Sequence, residues 1–226
     1  MRGMIEEITA ALAANGFILR GGFRLGDDEV APAGFSGAPA KSVLLVGQAG
    51  AAPWPHFLRW REKQPPSAIN PLDTWSRAVI GAVADDFGAR AVSPSDRPYL
   101  PFQRWAMRAE GLKPSPLGIL MHPKYGLWHA YRGALLFDQE IATPEADAAI
   151  HLCDTCVEKP CLKSCPVGAY SVDGFAHHPC RAHAPGTDGA PCRAGGCLDR
   201  NACPYGAEHR YPAHVQAFHM AAFAGV

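Results

Sequence analysis

All eight cysteines of this chain lie between positions 153 and 203, and the preceding 152 residues hold none. They form two groups, each closed by proline. Cys153, Cys156, Cys161 and Cys165 precede Pro166. Cys180, Cys192, Cys197 and Cys203 precede Pro204. The N-terminal stretch Met1 to Ala14 carries Glu6 and Glu7 and lacks the basic head and apolar run of a secretory signal. A cytoplasmic location is therefore expected, where disulfides are disfavoured and clustered thiols point to metal or redox chemistry.

The first group reads C-x2-C-x4-C-x3-C-P. The bacterial ferredoxin run is C-x2-C-x2-C-x3-C-P, and its fourth cysteine ligates the other cluster of the pair. Three close thiols wrap three irons of one cube, and the turn favoured by proline carries the fourth away. The second group, C-x11-C-x4-C-x5-C-P, keeps this order with wider intervals. Applied to both groups, the crossing rule gives two [4Fe–4S] sets: Cys153, Cys156, Cys161 and Cys203, and Cys165, Cys180, Cys192 and Cys197. The alternative is two structural zinc sites of four thiolates each. Zinc ribbons usually show two C-x2-C knuckles, and only one such pair exists here. His177, His178 and His183 flank Cys180, but thiols already suffice as ligands. His209, His214 and His219 are five apart and face different sides of a helix.

Around the cysteines the sequence has little apolar periodicity, so metal–thiolate bonds are expected to hold that region together. Upstream, the pattern is mixed. Ile5, Ile8 and Leu12 have helical spacing, and Gly16 stops that helix. Phe17 to Leu19 starts a strand, and Val43 to Val46 reads as a buried one. Ala51 to Pro66 reads as a Pro/Trp-rich loop. Asn70-Pro71 reads as an N-cap followed by proline at the first helical position. Leu72, Trp75, Val79, Val83 and Phe87 then line one face. Phe102 to Glu110 predicts a helix stopped by Gly111, and Leu117 to Met121 and Ala134 to Phe137 predict strands. Pro212 to Phe223 predicts a terminal helix. The expected fold class is α+β: a layered α/β reductase-like domain over 1–150, a two-cluster ferredoxin-like module over 151–210, and a helix over 211–226 that packs back on the body.

Apolar residues are 48% of the chain, enough for a buried core, and no apolar run approaches the ~20 residues that span a bilayer. Lys+Arg and Asp+Glu are equal at 21 each, which argues against a broad nucleic-acid footprint. Neither a phosphate-binding G-x-x-x-x-G-K-[ST] nor a dinucleotide fingerprint occurs. The five tryptophans read more readily as core anchors than as a cofactor platform.

Arg108 to Ala169 resembles epoxyqueuosine reductase and the related corrinoid-dependent reductive dehalogenases. The likeness is carried by Arg108-Ala109-Glu110-Gly111-Leu112, by His122-Pro123-Lys124-Tyr125-Gly126-Leu127-Trp128, by Gly133 to Phe137, and by the cysteine run ending Cys165-Pro166-Val167-Gly168-Ala169. The resemblance implies that residues 1–150 hold cobalamin, with His122, Tyr125 and Trp128 as candidate cofactor contacts, and that two [4Fe–4S] clusters feed it electrons. It implies Asp96, upstream of Pro98-Tyr99-Leu100, as the proton donor, although Asp96 stands one position from the family's spacing and also suits a turn or helix cap. Where the family has a glycine-rich segment, this chain has Lys113-Pro114-Ser115-Pro116. The family's helical-repeat extension for tRNA contact finds no counterpart, which with zero net charge makes tRNA an unlikely partner. The function expected is an iron–sulfur electron-transfer protein serving a redox partner protein or an N-terminal cofactor. Its alternatives are a cobalamin-dependent reductase of a small substrate and a zinc or cluster protein without a redox role.

Overall fold

The computed structural model describes residues 3–143 and 150–225. The end of the expected 1–150 domain, residues 144–149, lies outside them. The fold is mixed α/β, and the chain divides into two compact units. The first comprises Met1–Gly111 and Ala130–Ala148. The second comprises Leu112–His129 and Ala149–Val226.

The first unit is built on a four-stranded sheet of order β1-β2-β6-β3, with β1 Ile18–Arg24, β2 Ser42–Ala49, β3 Arg90–Val92 and β6 His129–Phe137. β1 pairs antiparallel with β2, and β3 with β6. Ser42 through Gln48 are all buried. A strand covered on both faces reads as a continuous apolar run, as Val43 to Val46 does. Around the sheet stand α1 (Met4–Ala13), α2 (Trp54–Arg61), α3 (Pro71–Asp86) and α4 (Phe102–Glu110). α4 buries Phe102, Trp105, Ala106 and Ala109, one face at helical spacing, and ends on Gly111 at φ 65°. Only a residue without Cβ takes that left-handed cap at no steric cost.

Four local expectations change, and the first is that the Leu117 to Met121 run is strand only at Leu120–Met121, because Gly118 turns the chain before it at φ 74°. Ala51 to Pro66 contains α2 instead of being loop throughout. Pro53 and Pro55 sit at its N-cap and first turn, where a missing N–H costs nothing. Phe57 anchors it, 1% exposed and in ring contact with Trp54, Trp60 and Trp75. Asn70 makes no side-chain cap bond, because it is left-handed at φ 47°. The buried face of α3 runs through Leu72, Trp75, Ser76, Ile80, Val83 and Ala84.

The second unit is assembled from short pieces. β4 (Lys113–Pro114) pairs with β5 (Leu120–Met121), and β7 (Tyr170–Ser171) with β8 (Gly174–Phe175). Its helices are α5 (Leu152–Thr155), α6 (His177–His183), α7 (Ala190–Gly195), α8 (Leu198–Ala202) and α9 (Ala213–Ala224). Leu117, Met121 and Leu127, from well before the first cysteine, share one core cluster with Cys153, Cys161 and Cys203. Among the described residues no helix is long and apolar enough to cross a membrane.

Candidate metal centres

Two cavities in the second unit are lined by cysteine. Cys153, Cys156, Cys161 and Cys203 line the first, with Met121, Lys159, Pro160, Pro204 and Tyr205. Cys165, Cys180, Cys192 and Cys197 line the second, with Tyr170, Phe175, His183, Met220 and Phe223. Their cavity volumes are about 10 and 160 Å³. The second has room for a group larger than a water, whereas the first is close to the ~10–15 Å³ that a single water needs. Among the described residues, no three His, Cys, Asp or Glu side chains converge on a point that one metal ion could occupy. Zn–S bonds of about 2.3 Å would bring tetrahedral thiolates within about 3.8 Å of one another. Each donor set is four thiols, the ligand complement of a [4Fe–4S] cube and of a four-thiolate zinc site alike.

The loops that carry the thiols are held by main-chain bonds. Lys159, left-handed at φ 40°, turns the chain between Cys156 and Cys161, and its Nζ donates to the Cys153 carbonyl at 2.9 Å. Gly168 N–H donates to the Cys165 carbonyl, and Ala169 N–H to Cys165 Sγ at 3.4 Å. α9 supplies Met220 and Phe223 to the second cavity and is pinned by Gln216. Gln216 exchanges amide bonds with Asn201 and donates to the Tyr211 carbonyl at 2.9 Å.

Burial raises the pKa of six of these thiols, and neighbouring thiols add to the rise. Cys153 is pushed up to about 11, and Cys161, Cys180, Cys192, Cys197 and Cys203 are raised in the same direction. In the metal-free protein these groups bind protons more tightly when folded than when unfolded, where a cysteine titrates near 8.5. The stability they support is present below about pH 8.5 and is lost as pH climbs toward 11. Denaturant unfolding of the metal-free chain at pH 7.5, 9 and 10.5 is expected to show falling midpoints. Metal-bound thiolates carry no proton to lose, so the loaded protein should show a much flatter profile.

The other residues singled out in the sequence are placed as follows. His122 Nδ1 accepts from the Lys124 and Tyr125 amides at 3.0 and 3.1 Å, and the His122 ring stacks on Tyr125. Gly126 closes this loop at φ 56°, with the Tyr205 carbonyl where a Cβ would stand. Trp128 is fully buried, with the Arg200 guanidinium 4.4 Å from its ring and Tyr211 edge-on. Asp96 accepts from the Ser93 amide at 2.7 Å and from Arg77 Nε at 3.0 Å. His209 stands edge-on to Tyr125, and His219 lies against Tyr211. His183 lines the second cavity, and its buried Nε2 has no hydrogen-bond partner among the described residues.

Lys113–Pro116 does not fit the close backbone approach to a corrinoid that the family resemblance implies. Two of its four residues are prolines, and the Ser115 amide donates to the Ile119 carbonyl at 2.8 Å. Sequence reading missed Asp199, which is fully buried and accepts from the Ser164 amide at 2.9 Å. Burial raises its pKa, and the Ser164 and Cys165 amides oppose the rise. Nothing in the local pattern around Leu198-Asp199 marks it.

No protein-family model matches the sequence, and no curated protein matches it. Solved structures that it resembles include epoxyqueuosine reductases. That of Streptococcus thermophilus aligns with a TM-score of 0.54 at 15% identity, over 92% of this chain and 68% of that one. That of Bacillus subtilis aligns with a TM-score of 0.51 at 16% identity, over 94% and 68%. A third, bound to an epoxyqueuosine-modified tRNA-Tyr stem loop, aligns with a TM-score of 0.53 at 14% identity, over 94% and 68%. In another of these structures, at a TM-score of 0.50, the chain spans only about half the length, 52%. The tRNA complex overturns the expectation that tRNA is an unlikely partner. Net charge is a sum over the whole chain, whereas a nucleic acid meets a local surface. The chain has the fold of the epoxyqueuosine reductases.

Proposed function

We propose that this protein is an iron–sulfur oxidoreductase with two [4Fe–4S] clusters. One is held by Cys153, Cys156, Cys161 and Cys203, and the other by Cys165, Cys180, Cys192 and Cys197. The observation that carries this reading is that each set of four thiols lines one cavity. When bound, such clusters take up and release single electrons at potentials set by their surroundings. The chain's own part is to supply eight thiolates, to wall the cavities with Met121, Tyr205, Phe175 and Phe223, and to exclude water from them. Electrons would pass to a redox partner protein or to a reducible substrate. The shared fold supports tRNA carrying an epoxide-modified nucleoside as a substrate. Its deoxygenation would take two electrons and two protons and release water.

The test is iron, sulfide and zinc content with a visible spectrum on protein purified without oxygen. About eight irons and eight sulfides, with a broad band bleached by dithionite, are expected. Two zincs and no colour would sink the redox reading. Mass spectrometry of an epoxyqueuosine-modified tRNA-Tyr stem loop, incubated with the reduced protein, would show loss of one oxygen if that substrate is accepted.

A cobalamin-dependent reduction of a small substrate is a second reading, carried only by the resemblance of Arg108 to Ala169 and opposed by the prolines at 114 and 116. Titration with hydroxocobalamin tests it. An unchanged spectrum, and no corrinoid travelling with protein on a sizing column, would count against it.

Gly196 offers a structural check on the second centre. It precedes Cys197 at φ 88°, and an added Cβ would stand 1.9 Å from Gln216 Oε1. Gly196→Ala therefore strains the backbone and displaces the side chain that pins α9. Iron content is expected to fall to about four per chain, with the first centre retained.

A further inference from the structure

The two thiolate sets are threaded by one chain that passes between them twice. It leaves the first set after Cys161 and reaches the second at Cys165. It leaves the second after Cys197 and returns to the first at Cys203. The outward crossover is Leu162, Lys163 and Ser164, and the return crossover is α8. Asp199 lies on the return crossover, and its Oδ1 accepts the Ser164 amide of the outward one at 2.9 Å. The Cys165 amide also favours its charged form. A single side chain thus ties the two crossovers together.

Its surroundings make the choice of a carboxylate informative. Asp199 is 0% exposed, and its Oδ2 is buried with no hydrogen-bond partner among the described residues. A neutral amide could accept the same Ser164 bond without burying a charged, unsatisfied oxygen. Asp199 is two residues from Cys197 of the second set and four from Cys203 of the first, and it binds the amide of the residue before Cys165, so its side chain stands beside ligands of both sets.

We propose that Asp199 is the positioning residue shared by both metal centres. Its hydrogen bond fixes the crossover that delivers Cys165 to the second set, and its charge holds down the reduction potential of both. The proposal rests on the two-cluster reading. A buried negative charge opposes the arrival of an electron, so its removal should make reduction easier. Asparagine keeps an acceptor for Ser164 and loses the charge, whereas alanine loses both.

The experiment compares wild-type protein, Asp199→Asn and Asp199→Ala, each purified without oxygen, by iron content and by redox titration followed by electron paramagnetic resonance. Asp199→Asn is expected to keep the wild-type iron content while both midpoint potentials rise. A tenfold shift in the reduced-to-oxidised ratio at fixed potential corresponds to about 59 mV for one electron. Asp199→Ala is expected to drop to about four irons, with the second centre's signal missing. Unchanged potentials in Asp199→Asn, or full iron in Asp199→Ala, would overturn the proposal. Wild-type protein without iron would instead defeat the two-cluster reading on which it stands.

Discussion

Loss of Cys203 should empty the first metal centre and leave the second intact, although Cys203 is close in sequence to three ligands of the second. The cavity linings group Cys203 with Cys153, Cys156 and Cys161. Pairs of substitutions make the test decisive. Cys161→Ala with Cys203→Ala removes two ligands from one centre, so about four irons should remain. Cys197→Ala with Cys203→Ala removes one ligand from each, and iron should fall well below four. If instead the ligands grouped by sequence order, 153 to 165 and 180 to 203, the two double variants would exchange results. Iron analysis therefore separates the two arrangements without a further structure. The physical reason for the crossing is reach: the turn at Pro166 and the short α8 carry Cys165 and Cys203 away from their neighbours in sequence.

Glu110→Ala should destabilise the first unit by about 3–5 kcal/mol, a large part of the about 5–15 kcal/mol that holds a typical domain. Arg20 on β1 is 2% exposed. Its Nε and Nη2 donate to the two Glu110 oxygens at 2.8 Å each, and Nη2 also reaches Tyr131 Oη at 3.2 Å. Tyr131 donates to the same carboxylate, and its hydroxyl pKa is raised, mainly by burial. Without Glu110 the guanidinium stays in the core and loses the carboxylate that neutralises it. Urea unfolding monitored by tryptophan fluorescence measures the loss. Replacing both partners, Arg20→Met with Glu110→Leu, should cost less than Glu110→Ala alone, because no buried charge is then stranded. An equal or larger loss in the double variant would show that the pair stabilises beyond its own neutralisation.

Some of this was legible in advance. Phe102 to Glu110 is helical because its apolar residues recur at helical spacing and Gly111 can take a left-handed cap. Val43 to Val46 lies within a fully buried stretch of β2 because continuous β-branched and aliphatic residues suit a strand covered on both faces. α2 was hidden because prolines normally argue for a loop, and their position in the first turn shows only once the helix is seen. The tRNA expectation failed for a related reason. Net charge discards position, and the fold aligned with a tRNA-bound protein was not visible in the charge count.

The sequence by itself determined the cysteines, their spacing and the proline after each group, because ligand type and local turns depend on neighbouring residues. It also determined which segments have helical or strand periodicity. The tertiary structure decided which distant groups meet. It brought Leu117, Met121 and Leu127 into one core cluster with three cysteines, set Arg20 against Glu110 across 90 positions, and buried Asp199 of one crossover against the other. Burying the charged Arg20 is costly unless a partner compensates it, and that partner, Glu110, lies far along the chain. That compensation is a property of the packed molecule, and no local pattern encodes it.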